Sequence, residues 1–169
     1  MVYLIITAVV IIATLVILGK IRYNKSKVND GIYPLYEITY LEGSDALKMF
    51  TILNKFRADK LIKVVVADKF STLKAIDRCN KMIADGVVSH TGFPGVASDL
   101  KNLDADFVGE NVAYAYESIK GLMTGFYKSD AHRRAMLNPN FDWVGMGSVR
   151  DNITKKKFYC IVFGGDTLI

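Results

Sequence analysis

Cysteine, histidine and proline are scarce in this chain of 169 residues, with two, two and three of each. Two cysteines in a domain of this size exclude a disulfide framework, and a single bridge is the most that the sequence allows. Cys79 shares an apolar helical stripe with Ala75 and Met82, and Cys160 alternates with Phe158 and Val162 on one strand face. Both read as buried free thiols that pack as small hydrophobes, which suits the reducing side of a membrane. Internal repeats and low-complexity tracts are absent. Any histidine-based site must be built from His90 and His132.

Charge is absent from the first 19 residues, "MVYLIITAVVIIATLVILG". As a helix this run would span about 28 Å, close to the hydrocarbon thickness of a bilayer. A signal peptide would want a positive leading segment and a small-residue cleavage site, and neither is evident. A buried core helix is the third reading, and a transmembrane anchor over residues 1–19 is the expectation. Lys20, Arg22, Lys25 and Lys27 follow the run, and no Lys or Arg precedes it. The positive-inside rule then places the rest of the chain on the cytosolic side. These four cations, beside a bilayer, also suit anionic headgroups. They account for most of the net charge of +5, so the remainder is nearly neutral and nothing calls for nucleic acid.

Residues 20–43 read as a basic, then aromatic juxtamembrane linker, and residues 44–169 as one folded domain. Ser44 is the expected N-cap of a helix with apolar Leu47, Phe50, Leu53 and Phe56, running to about Lys60. "IKVVVAD" reads as an extended stretch, and Asp68 as the cap of a helix closed by Asp85-Gly86. A short helix is expected near Val96, a strand or turn at "ENVAYAY", and helices over 117–128 and 129–137. "WVGMGSV" and "FYCIVFGG" are strands joined by the polar loop "RDNITKKK". Helices that precede clustered strands argue for an α+β domain with helices on an antiparallel sheet.

Five segments in order then carry a resemblance: "ILNKFRADKL" with Asn54 and Arg57, "AIDRCNKMIADGVVSH", "VGENVAY", "FYKSDAHRRAMLNPNFDWVGMG" and "YCIVFG". Together they resemble the CAP superfamily of cysteine-rich secretory, antigen 5 and pathogenesis-related 1 proteins, in its short prokaryotic-type branch. The resemblance implies a three-layer α-β-α sandwich with a cavity lined by His and acidic residues. It places His90, Glu110, Ser129 and His132 at that cavity, with Asn111 and Arg133 as supporting residues. Serine stands at Ser129 where larger members carry a second glutamate.

Two imidazoles and a carboxylate suit a borderline divalent ion such as zinc, so His90, Glu110 and His132 are a tentative metal set. Serine cannot replace a carboxylate's charge, which weakens that site. The bland alternative is a polar cluster that ties loops together. Ser129 and His132, three residues apart on a helix, invite a hydrolase reading with Glu110 orienting the imidazole. No oxyanion-hole pattern or strained elbow surrounds Ser129, so no catalytic residue is assigned. Asn111 reads as a loop-bonding amide, Arg133 as a carboxylate or carbonyl partner, and Trp143 as core. Gly145-x-Gly147 lies within a strand and is rejected as a phosphate loop.

The expectation is a membrane-anchored, non-catalytic tether between a bilayer and a protein partner or lattice, in a virion capsid with an internal membrane or in a cell envelope. A metal-dependent or Ser/His hydrolase at the membrane surface, and a lipid or sterol binder, are the alternatives.

Overall fold

The computed structural model describes residues 45–167. The anchor expected over 1–19, the linker over 20–43 and the Ser44 cap lie outside the described residues. Among those described, no helix is long and apolar enough to cross a membrane.

Five helices and four strands are formed among the described residues. Helix α1 (Asp45–Asp59) buries Ala46, Met49, Leu53 and Arg57, a stripe at helical spacing. Strand β1 is only Val66–Ala67. Helix α2 (Lys69–Asp85) begins where the Asp68 carboxylate accepts from the Ser71 amide, and ends at Gly86 with φ +68°. Helix α3 (Phe93–Lys101) starts earlier than the expected Val96, because Pro94 sits in the first turn, where no amide hydrogen is needed. Strand β2 (Phe107–Tyr114) takes in "GEN" whole. Helix α4 (Ile119–Lys128) is capped by Ser118, and α5 (Asp130–Met136) follows a one-residue break at Ser129. Strands β3 (Trp143–Arg150) and β4 (Lys157–Gly165) close the domain as the expected hairpin.

The sheet order is β1-β3-β4-β2. The β2–β4 and β3–β4 pairs are antiparallel, but β1 runs parallel to β3, so the sheet is mixed and not the purely antiparallel one expected. Cross-strand register sorts the side chains onto two faces. Gly145, Val162 and Glu110 are in line, as are Gly147, Cys160 and Val112. This face takes α2. A Cβ at Gly145 would lie 1.9 Å from the Ser71 carbonyl carbon, and one at Gly147 would lie 2.5 Å from the Ala75 oxygen. The rejected phosphate-loop glycines therefore let a helix backbone lie directly on a strand. The opposite face presents Val144, Met146, Ile161 and Phe163 to Met49, Leu53, Leu122, Met123 and Phe126. The outcome is an α+β sandwich with α2 on one face and α1 and α4 on the other.

Candidate functional site

Strand alternation sends Glu110 and Asn111, neighbours at the sheet edge, to opposite faces. Glu110 points to the α2 side, and its side chain is 1% exposed. Arg78 meets it there, with Nε donating to Oε2 at 2.7 Å and Nη2 to Oε1 at 3.5 Å. Arg78 Nη2 also donates to the Ser89 carbonyl at 2.6 Å, which ties down the loop leading to His90. His90 Nδ1 lies 2.8 Å from Glu110 Oε1, and the Cys160 thiol lies 3.5 Å from Oε2. The His90 side chain is otherwise 59% exposed.

Electrostatics follow from that burial. Desolvation alone would lower the Arg78 guanidinium, but the Glu110 hydrogen bond and charge outweigh it and raise its pKa. Burial pushes the Cys79 thiol up to about 12, and pushes Cys160 up too, with the Glu110 charge adding to it. Both cysteines are buried and unbridged, as expected, and neither is disposed to form a thiolate.

On the other face Asn111 Nδ2 donates to the His132 carbonyl at 3.2 Å, fastening α5 to the sheet edge. The His132 ring packs on Phe126 with centroids 4.9 Å apart. Its pKa is lowered, first by desolvation and then by repulsion from His90. Arg133 pairs with Asp130 and donates to the Tyr127 carbonyl at 3.1 Å, the role expected of it.

Ser129 differs from the expectation. It is not on the helical face of His132 but in extended backbone at φ −81°, ψ 123°, at the N-cap of α5, with no side-chain cap bond. Its amide and carbonyl are used, donating to Gly125 and accepting from Arg133. No hydrogen bond joins its hydroxyl to His132 or Glu110 among the described residues, so a Ser–His pair is not assembled.

The tentative zinc set does not fit this arrangement. Among the described residues no group of three or more His, Cys, Asp or Glu is disposed to hold a metal. Glu110 gives the reason: its charge is met by Arg78 and both oxygens already accept hydrogen bonds. A metal would have to displace a guanidinium in a buried pocket.

Arg78 is the functional-site residue that sequence reasoning missed. Its signal was present, since a charged residue stands on the buried stripe of α2 between Ala75 and Met82. A buried charge requires a partner, and Glu110 is that partner.

The fold and edge-strand polar cluster define an α-β-α sandwich domain of the cysteine-rich secretory protein type. The model of that family, CAP, matches residues 50–163, and the chain belongs to it. No curated protein matches the sequence. Among solved structures, the chain is similar to an outer surface protein of Borrelia burgdorferi. That match has TM-score 0.66 at 15% identity and covers 73% of this chain and 93% of that one. It is also similar to an extracellular protein containing an SCP domain from Bacillus anthracis, with TM-score 0.65 at 23% identity and 81% of this chain covered. A cysteine-rich secretory protein of Staphylococcus aureus gives TM-score 0.63 at 18% identity, with 80% of this chain covered. The chain spans 45% and 42% of those last two chains. At such identities these matches establish the fold alone.

Proposed function

We propose that this chain is a membrane-anchored, non-catalytic binding or tethering module. The observation that carries the non-catalytic reading is the Arg78–Glu110 pair. A general base or metal ligand must offer a free lone pair, and Glu110 is buried with its charge cancelled and both oxygens engaged. Ser129 adds no acid and no activated hydroxyl. CAP domains generally serve in binding, which agrees with this reading.

The anchor rests on the uncharged run of residues 1–19 and the cations after it. A cell-envelope setting is favoured over a virion by the names of similar structures, an outer surface protein and an extracellular protein. The absence of disulfides among the described residues and the charge flank favour the inner side of that envelope. The partner is a bilayer on one side and a protein layer on the other.

Zinc titration of the full chain, with and without His90→Ala, tests the non-catalytic reading. Zinc affinity lost with His90→Ala, together with turnover of an ester or peptide, would replace the module with a metal-dependent hydrolase. Extraction of a sterol from vesicles would place the chain among lipid binders instead. Protease protection in sealed membranes tests sidedness, and a protected domain in inside-out vesicles would overturn the cytosolic orientation.

A further inference from the structure

An open cavity of about 750 Å³ lies where β2 gives way to α4 and β3 turns into β4. Neither His90 nor His132 lines it. Six cationic side chains do: Lys48, Lys120, Arg150, Lys155, Lys156 and Lys157. The acids on its wall are Asp45 and Glu117. Asp45 is already committed, since its carboxylate pairs with Lys157 and accepts from the Ser148 hydroxyl at 3.1 Å. On the cavity wall that leaves five cations facing one carboxylate, and Asp151 of the adjoining hairpin turn, beside Lys155, lowers the excess by one charge without removing it. Lys156 stands 5.5 Å above the Tyr114 ring, and Arg150 Nη1 donates to the Lys155 carbonyl at 2.5 Å. These contacts hold two of the charges at the surface without neutralising them.

The tip of the same hairpin carries an apolar residue in an unusual place. Ile153 is 90% exposed. It is held in an ordered turn: the Asp151 carboxylate accepts from the amides of Ile153 and Thr154 at 2.9 and 3.1 Å, and from the Thr154 hydroxyl at 2.5 Å. An exposed isoleucine on a fixed turn, beside a cluster of lysines, is the pairing that an interfacial membrane contact uses. Apolar area enters the headgroup boundary while cations meet anionic headgroups.

We propose that this face docks on an anionic lipid surface, with the cations of the cavity mouth taking the headgroups and Ile153 entering the interface. The choice of lipid over another anion rests on the proposed membrane anchoring. Helix α1, the first described element after the apolar run of residues 1–19, begins at Asp45 on the cavity wall. The docked face would hold the domain against the bilayer and leave the His90 edge for the protein partner.

The test uses the full chain with Asn152→Cys, an exposed tip position, carrying a polarity-sensitive dye. Cys79 and Cys160 are buried and leave the label selective. The protein is combined with phosphatidylcholine vesicles, with or without phosphatidylserine. The dye should move to an apolar environment only where phosphatidylserine is present, and added salt should reverse the shift. Replacing Lys48, Lys155 and Lys156 together by Gln should weaken the phosphatidylserine response by about a hundredfold. Ile153→Asp, at an exposed site that leaves folding intact, should weaken it by about tenfold. A dye that stays aqueous on phosphatidylserine vesicles overturns the proposal. Alkaline carbonate extraction of the same vesicles reports on the anchor separately. A chain that resists extraction with a silent dye keeps the anchor and loses the docking face. A chain that washes off, yet whose dye responds to phosphatidylserine, keeps the face and loses the anchor. A dye silent on lipid but responsive to poly-glutamate assigns the face to an acidic protein and overturns the lipid partner.

Discussion

Arg57 on α1 and Arg78 on α2 are both buried, on opposite sides of the sheet, and the charge of each is met differently. Arg57 donates to four carbonyls, those of Lys63, Met136, Asn138 and Phe141, at 2.7 to 3.2 Å. Carbonyls supply dipoles but no net charge. Desolvation therefore lowers its pKa to about 10, with the Asp142 charge only partly offsetting it. Arg78 instead meets a full carboxylate, and its pKa is raised. The first arginine joins the end of α1 and the turn just after it to residues 136–141, about 80 positions on. The second cancels the one acid that a cavity site would need. One residue type thus marks a structural joint in one region and a neutralised site in the other.

Removing the joint should have the largest effect. Arg57→Met leaves the buried carbonyls of Met136 and Phe141 without a donor. At roughly 1–3 kcal/mol for each stranded group, the loss of stability should be about 4 kcal/mol. Urea denaturation measures it. A loss below about 1 kcal/mol would show that water reaches these carbonyls and that the joint carries little.

The second region breaks differently. Arg78→Met strands a buried carboxylate and should cost about 3 kcal/mol. Adding Glu110→Gln to the same chain should recover most of that loss, because the uncompensated charge is gone. Glu110→Gln added to Arg57→Met should recover nothing, since Glu110 pairs with Arg78 and not with Arg57. If Arg78→Met and Glu110→Gln simply add, the pair is not coupled and Glu110 regains standing as a site acid.

Much of the frame of these two regions was legible. The extent of α1, the Asp68 cap, the Gly86 stop and the terminal hairpin are all local signals, and each formed where its pattern placed it, but the expected α1 stripe of Leu47, Phe50, Leu53 and Phe56 shares only Leu53 with the residues that the helix buries. The parallel pairing of β1 was not legible, because a two-residue strand has no pattern of its own and is set by β3, 77 residues on at the Val66–Trp143 pair. The segment around Glu110 and Asn111 read only as a strand or turn, so neither their opposite facing in β2 nor the face that receives α2 was legible. The latter was decided by Gly145 and Gly147, which admit a helix backbone only on their side. The cavity residues were named from resemblance, and their chemistry depended on Arg78, a residue 32 positions before Glu110 whose role no local motif states. Ser129 failed as a partner of His132 because the chain breaks between α4 and α5 at that residue.

The smallest expected effect concerns the other side of the Glu110 edge, where the His132 ring packs on an aromatic side chain. Its pKa lies below the ordinary 6.5, first because the ring is partly desolvated against Phe126 and then because His90 is near. A group whose folded pKa is depressed binds its proton more readily in the unfolded chain. Stability from this source is therefore complete above pH 6.5 and declines as pH falls below that value and through the folded pKa. His132→Asn removes the titrating ring and should flatten this part of the stability profile, measured by denaturation at a series of pH values. His90→Asn should lessen the slope without abolishing it, because desolvation remains. A profile unchanged by His132→Asn would mean that the imidazole is solvated on both sides of the transition. The contrast with Arg78 would then sharpen: only the α2 face of the edge strand would hold a buried charge that folding must satisfy.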